Sequence, residues 1–396
     1  MISVGIDVSK GKSTVCIMKP CGEILESPFD IGHTADELDS LISLIKSFDE
    51  ETRVVMEDTG HYHLPVATYL SSHNIFVCCV NALRMKKFCS QSLRRAKTDK
   101  IDSIKIASFG ITYWNELVKA YPSNVIYDEL KFLARQYYQV TGMLVKSKVN
   151  FSNLLDQVMP KINDVLSSQG ENHKLTEFVS RYIHFQNILD MGEMKFTSDY
   201  CKWAKKKGYR LNERKAAEIL ALAQNGIPTL PNSQSVKIAV SEAVKLIHSI
   251  EESRNTILAQ MQDLCNTLPE YSVVKEMDCI GDTLAPRIIA EIGDVRRFKN
   301  KHSLIAYAGI DAPPYQSGAF HASERHISKR GNSYLRKTGY EIMQSLIKHK
   351  PADNAVYNFI QKKRSEGKCG KEAMIAGLNK FLRVYYGKVM EFYSEH

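Results

Sequence analysis

Two aspartates three residues apart, Asp99 and Asp102, stand in KTDKIDSIK at the end of a strongly basic stretch. From Arg84 to Lys105 the cations are Arg84, Lys86, Lys87, Arg94, Arg95, Lys97, Lys100 and Lys105, and these two carboxylates are the only acids. On a helix, positions i and i+3 share one face. Two further acids lie upstream in strand-like runs, Asp7 in GIDVS and Glu57 in VMEDTG. In a sheet of this kind the strand ends face the functional edge. Four carboxylates from two strands and one helix would therefore converge on one point. The chemistry that wants this is phosphoryl transfer with two Mg²⁺ ions about 3.5–4 Å apart bridging a scissile phosphate. Mg²⁺ takes oxygen ligands and keeps waters, so it needs no His or Cys cage.

Each acid also has a plainer reading. Asp7 can cap a turn, and Glu57 can be a surface acid beside Asp58. Asp99 can be a helix N-cap, with Asp102 in the first turn favoured by the helix dipole. The basic run can be a solvated face. Order, element type and spacing agree only for the site.

The elements that must position these acids alternate. ISVGIDVS, KSTVCIMKP and GEILESPF read as three strands, and TADELDSLISLIKSF as a helix. TRVVMEDTG is a strand, LPVATYLSSH a helix, IFVCCV a strand, and a further helix starts near Asp99. Three strands followed by crossover units predict an α/β layer fold. From about Tyr127 to Pro269 strand signals vanish. YDELKFLARQYYQVTGMLVKSKVNFSNLLDQVM and SVKIAVSEAVKLIHSIEESRNTILAQMQDL read as long amphipathic helices, the second with coiled-coil character. The intervening SDYCKWAKKKGYRLNERKAAEIL is basic and helical. After Pro269 come two short helices in MDCIGDTLAPRIIAEIGDVRRF, a loop-rich segment YAGIDAPPYQSGAFHASERHISKRGNSYLRK, and closing helices.

The whole chain agrees with a nucleic-acid partner. Its 396 residues allow two or three domains, and its net charge of +9 favours a polyanion. Nine scattered cysteines without a C-x-x-C point to reduced thiols in a cytosolic protein, with no disulfide frame and no structural zinc. A strand opens the chain, so no signal peptide is expected, and no apolar run is long enough for a membrane span. The second chemical candidate, Ser317 in the loop-rich segment, reads bare as part of a Ser-Gly turn. A serine nucleophile needs an activator, and spacing identifies none.

The ordered set GIDVSK, MEDTG and KTDKIDSIKIA resembles the DEDD-type, RuvC-like transposases of bacterial insertion sequences. These form insertion-sequence family one-ten and its eleven-eleven branch, which includes the Piv DNA invertase. The loop-rich segment is similar to the C-terminal transposase domain of the same family in Gly309, Pro313, Ser317-Gly318, Ile327-Ser328-Lys329, Gly331-Asn332 and Leu335-Arg336. CIGDTLAPRIIAEIGD resembles its helix-hairpin-helix-like element, with Cys279 where a Gly is usual.

The resemblance implies an RNase H-like (RuvC-like) α/β domain over 1–160. A helical, coiled-coil and dimerising region would follow over 161–265, then a mostly α-helical transposase domain over 266–396. It places a Mg²⁺-binding tetrad (two ions, with Mn²⁺ able to substitute) on Asp7, Glu57, Asp99 and Asp102, and the nucleophile on Ser317. Arg84, Lys86, Lys87, Arg94, Arg95, Lys97, Lys329, Arg330, Asn332 and Arg336 become the expected nucleic-acid contacts. It further implies DNA strand exchange through a phosphoserine link, guidance by a structured bridge RNA, and dimers pairing into a tetramer in the bacterial cytoplasm at the nucleoid. Competing readings are a RuvC-like nuclease or junction resolvase with water as nucleophile, a sugar-kinase or actin-like ATPase, and a non-catalytic nucleic-acid-binding protein. The ATPase reading lacks a second Asp-Gly phosphate loop and a Gly-rich adenosine motif.

Overall fold

The structure, a computed structural model, describes residues 1–58, 60–90, 98–120, 125–166, 173–210, 213–312, 316–317, 320–321 and 326–395, with the backbone alone at 316–317 and 320–321. The chain divides into two compact units, Met1–Asn124 and Val125–His396.

The first unit runs β1 (Ile2–Val8), β2 (Lys12–Met18), β3 (Ile24–Gly32), α1 (Ala35–Lys46), β4 (Thr52–Asp58), α2 (His63–Ser72), β5 (Phe76–Asn81), α3 (Ala82–Cys89) and α4 (Asp99–Thr112). The sheet order is β3-β2-β1-β4-β5. β1, β2 and β3 form an antiparallel meander, while β4 is parallel to β1 and β5 to β4. This is the α/β layer fold expected from the strand order, in the RNase H-like arrangement that the resemblance implied, with α3 as an additional helix.

Alternation along β1 sets the layers. Ile2, Val4, Ile6 and Val8 point to one face and pack with Leu38, Leu41, Ile42 and Ile45 of α1 and Val66 and Leu70 of α2. Burying each such aliphatic side chain contributes roughly 1.5–3 kcal/mol. The other face of β1 carries Ser3, Gly5 and Asp7. A β-carbon on Gly5 would lie 2.4 Å from the Ser103 carbonyl oxygen, so the backbone of α4 rests directly on the strand. A β-carbon on Gly110 would likewise meet Ser3 Oγ at 2.1 Å. Because Ser3 meets Gly110 and Gly5 meets Ser103 and Ala107, α4 runs antiparallel to β1. Its first turn thus lies at the C-terminal end of that strand.

The second unit is helical. It contains α5 (Val125–Val158), α6 (Ile162–Val165), α7 (Lys174–Tyr182), α8 (Phe185–Met191), α9 (Glu193–Lys206), α10 (Glu213–Asn225) and α11 (Gln234–Asn266). It continues through α12 (Tyr271–Lys275), α13 (Gly281–Ile292), α14 (Lys301–Ala308), a small hairpin of β6 (Gln316–Ser317) and β7 (Phe320–His321), α15 (Ser333–His349), α16 (Ala355–Ser365) and α17 (Gly370–Glu395). The two long helices foreseen in the sequence are α5 and α11, and they pack against each other within the chain. Their two ends enter different cores. Tyr127–Tyr137 and Met261–Cys265 join α13, α14, α15 and α17. Leu144–Val158 and Val236–Ile250 join α7–α10. Cys279, where the related element usually has glycine, holds φ = +64°, in the left-handed region glycine adopts most readily. Among the described residues no helix is long and apolar enough to cross a membrane.

Candidate functional site

Asp7 is the sixth residue of β1 and Glu57 the sixth of β4. Their strands pair in parallel as far as Ile6 opposite Met56, so Asp7 and Glu57 occupy the next rung. Residues opposed across a sheet project from the same face. Val55 meets Gly110, which puts Val55 and Glu57 on the α4 side with Ser3, Gly5 and Asp7. Asp58 projects the other way and approaches His63 Nδ1 at 3.6 Å. The rung continues outward: Asp7 opposes Thr14, and Thr14 opposes Asp30. Thr14 Oγ1 donates to Asp30 Oδ1 at 2.7 Å, which holds the Asp30 carboxyl below the usual carboxylate range.

Asp99 and Asp102 come from the first turn of α4, which the helix contact brings to this same edge. The N-cap is Thr98, whose Oγ1 accepts from Ile101 N–H at 3.2 Å. Asp99 therefore does not cap the helix, and it is exposed, while Asp102 is half-buried. Lys105 Nζ lies 3.8 Å from Asp102 Oδ1. Burial raises the Cys89 thiol above its ordinary pKa; Lys105 opposes this, and Asp102, Glu57 and Asp7 all add to it. One thiol thus feels acids from β1, β4 and α4. Hard carboxylate oxygens at one strand edge are a donor set that suits Mg²⁺. Among the described residues, no three His, Cys, Asp or Glu side chains stand close enough to hold an ion as they are placed.

Ser317 lies in β6, where its backbone pairs with Phe320. Around this hairpin, residues 307–311 and 328–336 form a clasp. Ser328 N–H donates to the Asp311 carbonyl oxygen at 2.9 Å, and Ser328 Oγ donates to Asp311 Oδ1. Lys329 N–H donates to the Gly309 carbonyl and Asn332 N–H to that of Tyr307. A β-carbon on Gly331 would fall 2.0 Å from the Tyr307 carbonyl oxygen, so only glycine allows this approach. Arg336 Nη1 donates to the carbonyls of Ala308 and Gly331 at 2.9 and 3.0 Å.

The expected nucleic-acid contacts separate into groups. Lys86, Lys87, Lys329 and Arg330 are exposed. Arg84 is exposed too, and Arg84, Asn332 and Arg336 also bond within the chain. Arg84 pairs with Glu116 and stacks over Phe109 and Tyr113. Asn332 caps α15 through Oδ1, which accepts from Tyr334 N–H and Leu335 N–H, while its amide donates to the buried Glu291. Arg336 closes the clasp. Arg94, Arg95 and Lys97, like Pro313 and Gly318, lie outside the described residues.

Sequence reasoning missed Gly5, Thr14, Asp30 and Asp311. A glycine between Val4 and Ile6 in a strand was the available signal, since it marks a close backbone approach.

The comparisons with known proteins bear on the same segments. A family model described as "Transposase", of DEDD type, matches residues 4–160. A second, described as "Transposase IS116/IS110/IS902 family", matches residues 271–358. The 44.8 kDa protein of insertion element IS116 from Streptomyces clavuligerus is 22% identical over 378 residues, covering 95% of this chain and 91% of that protein. The 43.6 kDa protein of insertion element IS110 from Streptomyces coelicolor is 21% identical, covering 76% and 72%. The pilin gene-inverting protein of Moraxella bovis is 26% identical over 33% of this chain and 42% of its own. Among solved structures, RuvC of Thermus thermophilus aligns with 29% of this chain and 96% of RuvC at a TM-score of 0.24 and 12% identity. Transposase models on both the α/β unit and the helical unit, with the insertion-element and gene-inverting relatives, mark a DNA transposase or recombinase. The chain belongs to the IS116/IS110/IS902 transposase family.

Proposed function

We propose that this transposase cuts and rejoins DNA through a covalent phosphoserine intermediate on Ser317, assisted by Mg²⁺ held by Asp7, Glu57, Asp99 and Asp102. The observation that carries this reading is the meeting of Asp7 and Glu57 on one rung with the first turn of α4. When bound there, Mg²⁺ would polarise the scissile phosphate and stabilise the leaving oxygen. Ser317 Oγ attacks phosphorus, and a serine–phosphorus ester forms as the bond to a deoxyribose oxygen breaks. The serine proton passes to a base, and the departing oxygen takes one up. The ester keeps the phosphodiester's energy, so a second strand can displace serine and reseal without a nucleotide cofactor. Lys86, Lys87, Lys329 and Arg330 would neutralise phosphates and set the strand's register.

The resemblance supports two further parts of the proposal. A structured bridge RNA would select target and donor DNA by base pairing. Dimers would pair into a tetramer, with Ser317 of one subunit serving the acids of another. A substrate that traps cleaved DNA tests the chemistry: wild type should give a protein–DNA adduct that Ser317→Ala does not. An adduct surviving in Ser317→Ala means another nucleophile; Mg²⁺-dependent cleavage with no adduct means water attacks.

A further inference from the structure

We infer that the exposed ridge of α9 and the turn after it is a second DNA contact, a docking surface for the phosphate backbone of duplex DNA. It lies in residues that neither matched transposase segment reaches, since those end at 160 and resume at 271. The helices α7–α10 have their own core, built on one end of the α5–α11 pair, while the other end of that pair is rooted in the C-terminal core. From Ala134 to Leu155, α5 spans roughly 30 Å at about 1.5 Å per residue. The ridge therefore sits at the end of an arm, away from the clasp.

Residues 195–215 hold eight Lys or Arg against two acids. Both the local acid Asp199 and several of the cations are taken by neighbours. Asp199 receives Arg181 and Tyr182. Lys207 pairs with Glu177, and Arg214 and Lys215 share Glu218. Lys195, Lys202, Lys205, Lys206 and Arg210 are exposed and make no ion pair among the described residues. The helix dipole rationalises Lys205 and Lys206 in the last turn of α9, but not Lys195, Lys202 or Arg210. Glu193 and Glu213 lie beside Lys202 and offset part of this charge, but the cations outnumber them; like charges on one surface repel, and an anionic partner lowers that cost.

The chemistry of the ridge selects the partner. The aromatic residues of α9 point inward: Phe196, Tyr200 and Trp203 are buried, and Tyr209 stacks on Trp203 at 5.4 Å. With no aromatic face outward, the ridge lacks the stacking platform that binds unpaired bases. Lysine point charges suit the continuous backbone of a duplex, read without regard to sequence.

The test uses the full chain with Lys195, Lys202, Lys205, Lys206 and Arg210 all changed to alanine. Binding to a fluorescent duplex of arbitrary sequence is followed over a salt series without Mg²⁺, so no strand is cut. The outcome is then independent of the serine and metal proposals. Each phosphate contact adds about 0.9 to the slope of log affinity against log salt. The variant's slope should be shallower by up to about 4.5, with affinity lowered at least tenfold near 0.1 M salt. An unchanged slope and affinity, or a loss seen with structured RNA while duplex DNA binds as before, would overturn the assignment.

Discussion

Gly5 of β1 lies directly under Ala107 of α4, so close that a β-carbon on Gly5 would stand 2.2 Å from the Ala107 amide nitrogen. The obstructing atoms are backbone and cannot rotate away. This contact fixes how far α4, with Asp99 and Asp102, stands from Asp7. Gly5→Ala should destabilise the first unit by roughly 3 kcal/mol, at the upper end for overpacking. It should also reduce strand cleavage by pushing α4 off the sheet. Thermal unfolding and a cleavage assay check both; a variant with unchanged melting and cleavage would show the close approach to be dispensable.

The acid edge is tested by Asp7→Asn and Asp102→Asn, which keep size and shape and remove charge. Each should slow Mg²⁺-dependent cleavage by about three orders of magnitude, equivalent to about 4 kcal/mol of transition-state stabilisation. Folding and nucleic-acid binding should remain. Retained Mg²⁺-dependent cleavage in either variant sinks the metal proposal.

Glu291 is buried on α13 and held by both terminal nitrogens of Arg135 and by the Asn332 amide, with Tyr334 lying 3.6 Å from the Arg135 guanidinium. Removing one partner of a buried ion pair strands the other charge. Arg135→Met should cost about 3–5 kcal/mol. Adding Glu291→Gln, which keeps an oxygen for Asn332, should recover a large part of it. A double-mutant cycle in denaturant measures the coupling, and additive losses would contradict it.

The Ser328–Asp311 bond ties the two flanks of the serine hairpin. A hydrogen bond to a charged acceptor is worth about 1.5–3 kcal/mol. Ser328→Ala should lower the yield of trapped protein–DNA adduct more than it lowers melting temperature, and Ser328→Thr should restore both. If adduct yield is unaffected in Ser328→Ala, the clasp does not position the hairpin.

The fold was legible where periodicity is strong. The β-branched run of β1 and the apolar spacing of α5 and α11 announced their elements. The order of strands and helices placed Asp7, Glu57 and Asp99 on the elements where they are found. What stayed hidden depends on contacts distant in sequence. Arg84 also pairs with Glu116, a partner 32 residues away that no local spacing reveals. The bonds of Asn332 to Glu291 and of Arg336 to the Ala308 and Gly331 carbonyls were equally hidden, because a motif records which residues recur and not what they bond within the chain. Asp30 joins the edge only through the hairpin register that sets it opposite Thr14. Thr98 rather than Asp99 caps α4, a choice between adjacent residues that both accept hydrogen bonds.

The clasp has a consequence for how such enzymes can diverge. Residues 307–311 and 328–336 bond to each other on either side of the segment that carries Ser317. Doubling the length of a closed loop costs only about 0.6 kcal/mol once its ends are fixed. The intervening segment can therefore be rewritten, lengthened or shortened as an exchangeable cassette while its two anchorage points stay in register. A lineage could retune what the proposed nucleophile meets without rebuilding the helices on either side.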